Sequence, residues 1–187
     1  SDGFVAYDEF KLNVTGEVEG PPFSLNINSG GVAITQGNWV ADQYYTGGET
    51  YSEYFVEVAG TDNPAVYQDE LYGNITYNIP VPNGKYSVKL HFAEIYFTTP
   101  GARIFNVTME GNPALTNYDI VAKAGAFNAA IEQINNIQVN DGFLTIQFIN
   151  VQDNAKISGI EILQIKGAVN NAPTVSVPVA DQAVQVN

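Results

Sequence analysis

KYSVKLHFAEIYFTTPGAR, residues 85–103, is the stretch whose pattern decides the fold. Its first half alternates, with Tyr86, Val88, Leu90 and Phe92 on one face and Ser87, Lys89, His91 and Ala93 on the other. Successive side chains of a strand point to opposite faces, so a period of two predicts a half-buried β-strand over residues 85–97. The pattern breaks at Glu94, a carboxylate where the apolar face should continue. Tyr96 and Phe97 then send rings to both faces, just before the turn signal Thr98-Thr99-Pro100-Gly101.

Outward from this strand the chain reads as more of the same. Further strands are expected at residues 11–15, 23–27, 54–58, 74–79, 103–110, 118–121, 134–139, 143–149 and 157–165. Pro82-Asn83-Gly84, Glu110-Gly111-Asn112, Asn140-Asp141-Gly142 and Asp153-Asn154 punctuate them, residue sets that tolerate positive φ or preset a turn. Around Asp141-Gly142 a hairpin would let Ile137 and Val139 face Leu144, Ile146 and Phe148. One helix is a candidate at residues 124–133, on Phe127 and Ile131 at i and i+4. No longer apolar stripe of helical period occurs, and regular turns between alternating strands predict an all-β antiparallel sandwich or barrel.

Composition narrows the function classes. The 187 residues, 45% of them apolar, are ample for one core. Twenty acidic against seven basic side chains give a net charge of −13, a field that repels phosphate backbones and anionic lipid. Nucleic-acid partners and membrane insertion are therefore not expected. There is no cysteine, so disulfides, thiol nucleophiles and cysteine zinc sites are excluded. His91 is the only histidine and reads as a solvated strand residue on the Lys89 face. No cofactor is expected; Ca²⁺ has hard oxygen ligands available at Asp62-Asn63 and Asp153-Asn154, but no spacing matches a known loop. The absence of cysteine fits a secreted or cell-surface bacterial protein. Residues 1–165 form the expected domain, and Ser1-Asp2-Gly3 reads as a trimmed end. Residues 166–187 form a small, polar linker followed by a Val-Pro-rich strand. That strand, opening on Asn170-Asn171-Ala172-Pro173-Thr174, resembles the start of a cadherin-like or immunoglobulin-like module, so a multi-domain parent is expected.

Three stretches crowd aromatic residues against bends. They are residues 39–48, with Trp39, Tyr44 and Tyr45 before Gly47-Gly48; residues 66–73, with Tyr67 and Tyr72 around acidic side chains; and the turn at Tyr96-Phe97. A sugar offers a weakly polar CH face to an aromatic ring, and hydroxyls at its edge to carboxylates and amides. Aromatic residues mixed with Asp, Asn, Gln and Glu in loops therefore suit a saccharide.

Six blocks, ADQYYTGG (41–48), VYQDELYG (66–73), YNIPVPNGKY (77–86), LHFAEIYF (90–97), FNVTMEG (105–111) and DNAKISGIEI (153–162), resemble in order the malectin domain, also classed as carbohydrate-binding module family 57. The resemblance implies a jelly-roll sandwich of the galactose-binding type and a lectin for glucose-type oligosaccharide or polysaccharide, without catalysis. It places carbohydrate contacts at Tyr72, Tyr96, Phe97 and Asp153, with Asn154 assisting, and one more at Tyr44 or Tyr45, of which Tyr45 lies nearer Gly47-Gly48. Leu71 stands where the family's pattern has Arg, which puts any ion pair from that position in question. Two alternatives stand beside the lectin. A glycoside hydrolase would use paired carboxylates such as Glu94 and Asp153, or Asp69 and Glu70, though the latter pair point to opposite faces if extended. An adhesive or protein-binding module would keep the fold without the sugar site.

Overall fold

In a computed structural model of the chain, residues 20–166 are described; the expectations for a strand at 11–15 and for everything from 167 onward lie outside them. Two sheets face each other as a sandwich. The first holds five strands: β1 (Ser24–Asn28), β2 (Trp39–Ala41), β5 (Gly84–Ala93), β8 (Ala129–Val139) and β11 (Gly159–Ile165), in the order β2-β1-β11-β5-β8. The second runs β10 (Lys156–Ile157), β4 (Asp69–Pro80), β9 (Phe143–Gln152), β6 (Ile104–Met109), β7 (Asn112–Tyr118), with β3 (Tyr45–Ser52) also paired to β4. All pairings are antiparallel except β1 with β2. The expected all-β sandwich is present.

The core is built as the alternation dictates. Tyr86, Val88, Leu90 and Phe92 of β5 are fully buried and face Tyr77, Ile79, Phe105, Leu144, Ile146 and Phe148 of the opposite sheet. The other face of β5 is covered too. Trp39, Val58, Val66, Tyr67 and Ala93 form a second apolar cluster over it, and Gly159 leaves the room: a Cβ there would lie 2.7 Å from the Trp39 ring and 2.8 Å from Val66. His91 is consequently buried, not solvated. Its Nδ1 lies 2.8 Å from the Tyr67 hydroxyl, its Nε2 2.9 Å from Glu161, and the Trp39 ring meets it edge-on at 5.1 Å.

Several element boundaries differ from expectation, each for an identifiable reason. β5 ends at Ala93 because Glu94 turns the chain, and residues 94–97 are not strand. Residues 140–142 do not close a hairpin: β8 pairs with β5 and β9 with β4 and β6, so the turn carries the chain from one sheet to the other. Asn83 clamps it, donating to the Asn140 carbonyl at 3.0 Å and accepting from the Gly142 amide at 2.8 Å. Ile137, Val139, Leu144, Ile146 and Phe148 do share the core, but from opposite sheets. The segment expected as one strand at 157–165 changes sheets at Ser158, whose main chain bonds to His91 and Ser29.

Residues 54–58 form no strand: the chain turns at Tyr54-Phe55, with the Val56 amide donating to the Glu53 carbonyl at 3.2 Å, and the Gln68 side chain donates to the Tyr54 and Val56 carbonyls at 3.1 and 3.3 Å. Among the described residues the one α-helix is α1 (Ile120–Ala124), where Asp119 accepts from the Ala122 amide at 3.0 Å as N-cap. Of the strand expected at 118–121, Tyr118 closes β7 and residues 120–121 are helical; of the helix expected at 124–133, only Ala124 is helical and residues 129–133 lie in β8.

Candidate functional site

The turn after β5 is built on the Glu94 carboxylate. Oε1 accepts the amides of Tyr96 and Phe97 at 3.0 and 3.1 Å, which closes the turn and throws both rings outward. Oε2 accepts Arg103 Nε at 2.6 Å. Glu94 is 0% exposed, so without these donors it would be a bare buried charge. Arg103 reaches onward: Nη1 donates to the Asn154 carbonyl at 2.5 Å and to Asp153 at 3.3 Å, and its guanidinium sits 5.2 Å from the Phe97 ring centroid. One cation thereby ties the 94–97 turn to the loop between β9 and β10. The far side of that loop is fixed by Asn150, which accepts the Ala155 amide at 2.7 Å and donates to Asn154 at 3.1 Å.

β4 supplies the third wall. Tyr72 donates to Glu49 at 2.8 Å, which together with burial pushes its phenol above the usual range. Glu70, one turn of the pleat away, pairs with Lys156, which is wholly buried. Burial pushes the Lys156 ammonium down, and Glu70 and Glu94 oppose that shift.

These elements enclose a cleft of ≈ 340 Å³ lined by Tyr51, Glu70, Tyr72, Tyr96, Phe97, Arg103, Asp153 and Asn154. Tyr96 and Phe97 meet edge to face at 4.9 Å, and Tyr96 is 75% exposed. Five of the sequence-predicted residues, Tyr72, Tyr96, Phe97, Asp153 and Asn154, are therefore brought together. Tyr44 and Tyr45 are not. Tyr45 pairs with Tyr77 at the far end of β3 and packs on it at 5.9 Å, whereas Tyr51, paired with Glu70, stands at the cleft. The two stand six residue steps apart along the strand, about 20 Å when extended. The reason is the Gly47-Gly48 bulge: both glycines have φ near +74°, and a Cβ on Gly47 would lie 2.4 Å from the Asn74 carbonyl, so the strand kinks but continues. Tyr51 and Arg103 are the lining residues that sequence reasoning missed, and Glu70, weighed there only as half of a carboxylate pair with Asp69, stands beside them. Arg103 carried a signal, as one of only seven basic residues and the end of the opening stretch.

The carboxylate pairs do not form an acid–nucleophile arrangement. Glu94 and Asp153 are both bound to Arg103, and Glu94 is shut off from solvent. Asp69 accepts from Asn28 and Ser52 at 3.0 and 2.6 Å, while Glu70 holds Lys156, so neighbouring side chains in β4 serve opposite faces. Leu71 is fully buried in the core. Among the described residues no three His, Cys, Asp or Glu side chains converge as a metal-holding group.

The malectin domain family matches residues 23–176. Kinesin-like protein KIN-14R of Arabidopsis thaliana is 30% identical over 164 residues, spanning 83% of this chain and 14% of that protein. Malectin of Danio rerio is 25% identical over 128 residues, 60% of this chain and 44% of the relative. The chain thus spans less than half the length of either. Among solved structures, the ANX2 ectodomain of Arabidopsis thaliana superposes with a TM-score of 0.67 at 18% identity, covering 77% of this chain and 50% of that one. A β-glucuronidase of Bacteroides uniformis does so at 0.66 and 19% identity, over 77% of this chain and 18% of the enzyme. At these identities the two structures share a fold with this chain.

Proposed function

The chain belongs to the malectin domain family, a carbohydrate-binding fold, and we propose that it is a non-catalytic module taking glucose-type oligosaccharide or polysaccharide in the cleft between Tyr51, Tyr72, Tyr96, Phe97 and Asp153. The observation that carries this reading is the exposed Tyr96 ring held at the mouth of a cleft whose walls are aromatic and whose polar groups are two carboxylates, an amide and a guanidinium. A sandwich with a complete core has no packing need for rings in that position. Tyr51, Tyr72 and Tyr96 offer faces to the CH side of a sugar ring. Asp153 and Glu70 accept from its hydroxyls, and Arg103 fixes both the Asp153 loop and the Phe97 ring. Sugar ordering offsets much of the gain from ring contact, so affinities of about −4 to −8 kcal/mol, millimolar to micromolar, are expected.

Membership of a larger protein is supported by the fraction this domain forms of its relatives, 14% of a kinesin-like protein and 50% of a receptor ectodomain, and of these only the ectodomain favours a secreted or cell-surface setting. A glycan array on the wild type and on Tyr96→Ala tests the function. Binding of glucose oligomers by the first and none by the second is expected, at equal melting temperatures. An array that stays blank with folded wild-type protein overturns the reading, and release of reducing sugar from a bound glucan overturns its non-catalytic part.

A further inference from the structure

A second cleft, of ≈ 630 Å³, is lined by residues from three loops, Val56 to Ala59, Pro64 with Gln68, and Ala126 to Asn128. It is joined to the first cleft through two shared pieces of chain. The Glu94 main-chain carbonyl accepts the Phe127 amide at 2.9 Å, while the carboxylate of the same residue holds Tyr96 and Phe97. The loop after β3 leads from Tyr51 in the first cleft to Val56 in the second, and Gln68 of the second cleft holds two of its carbonyls. Phe127 is the notable lining residue. Its φ of 58° is an outlier for a bulky side chain, a conformation that persists only where the surroundings enforce it. Here they do: besides the hydrogen bond that its N–H donates to the Glu94 carbonyl, its own carbonyl accepts the Ala59 amide at 2.9 Å. The result is an aromatic ring left 38% exposed at the cleft, rather than packed in the core. Around it stand Glu57, Gln68 and Asn128, and no cationic side chain lines the cleft. On the connecting loop Phe55 is 95% exposed.

An aromatic ring among amide and carboxylate groups, without a cation, suits a neutral sugar and disfavours anionic ligands. We propose that this cleft is a second saccharide subsite, so that the module engages a glucose-type oligomer longer than the first cleft accommodates, with Phe127 as its stacking platform. The proposal rests on the saccharide reading of the first cleft. The test is calorimetric titration with ladders of linear α- and β-linked glucose oligomers, from the disaccharide upward, on wild type, Tyr96→Ala and Phe127→Gly. Glycine is at home at φ 58°, so Phe127→Gly removes the ring while relieving the backbone. Wild-type affinity is expected to rise about tenfold along one ladder beyond the disaccharide. Phe127→Gly should lose that rise and keep wild-type disaccharide affinity and melting temperature, while Tyr96→Ala binds no member. Affinity independent of length, or a Phe127→Gly variant that retains the rise, overturns the second subsite and leaves the first intact. Failure of wild type to bind any oligomer overturns both.

Discussion

Arg103 is nearly buried, yet it borders the cleft, and three of the walls depend on it: Glu94 and its turn, the Asp153-Asn154 loop, and the Phe97 ring. Replacing it by Met keeps the aliphatic volume but leaves the Glu94 carboxylate in the interior with only two amide donors. Removing one partner of a buried ion pair is costly because the other charge stays behind unpaired. Arg103→Met should therefore lose about 3 kcal/mol of stability in urea unfolding, and sugar binding with it. Tyr96→Ala is the contrasting case, since its ring is largely solvent-facing: binding should vanish while stability moves by less than about 0.5 kcal/mol. The two tyrosines of β3 divide the same way. Tyr51→Ala should weaken sugar binding at constant stability. Tyr45→Ala should leave binding unchanged and cost about 1–3 kcal/mol, because Tyr45 packs against Tyr77 and the core rather than facing the cleft. Titration calorimetry and urea unfolding of the pair check both halves. If Tyr45→Ala lost binding instead, the cleft would be wrongly placed along β3.

At the level of elements, β5 and β11 carry a titrating contact on the face that the Trp39 cluster covers. Around His91 stand Tyr67, Trp39, Lys89 and Glu161. Burial pushes the imidazole below its ordinary 6.5, with Glu161 opposing that shift and Lys89 adding to it. A base whose folded-state pKa is depressed binds fewer protons folded than unfolded in the window between its two values. Stability is thus full above pH 6.5 and falls as pH drops from there toward the folded-state value. The urea midpoint of wild type should decline through that window, and His91→Gln should flatten the decline; parallel curves would show that His91 titrates normally. This burial was not legible in β5 itself. Alternation identifies which face of a strand is core, and it placed Tyr86 to Phe92 correctly. It is blind to a second layer laid over the other face by distant chain such as Trp39 and Tyr67. The same limit explains the turn at Asp141-Gly142, where the inward residues were legible but not the sheet each strand joins. β3 escaped because it is exposed on nearly every residue and bulged at two glycines, so it has no period to read. The Tyr96-Phe97 turn, by contrast, was visible as a break in a strong pattern. Arg103, nine residues on from Glu94, had only its rarity as a signal, because ion pairing leaves no periodic trace.

The molecule as a whole carries 20 acidic and 7 basic side chains over 187 residues, and this imbalance acts on folding and on binding in different ways. A net charge of −13 repels itself in the compact state, a long-range effect that salt screens. Raising salt from about 0.1 M to about 1 M shortens the screening length from about 10 Å to about 3 Å. The melting temperature should rise accordingly. The proposed ligand is uncharged, and its contacts are ring faces and short hydrogen bonds, with the nearest charges already paired as Glu94–Arg103–Asp153 and Glu70–Lys156. Screening therefore has little to act on when a neutral glucose oligomer enters the cleft. Affinity for it should stay within about twofold over the same salt range, since no counterions are released. An anionic oligosaccharide of similar size should bind weakly at low salt and gain affinity as the field is screened. Titrations of a neutral and an anionic oligomer at both salt concentrations read the two slopes directly. A neutral ligand whose affinity falls steeply with salt would contradict the aromatic, hydrogen-bonding character assigned to the cleft.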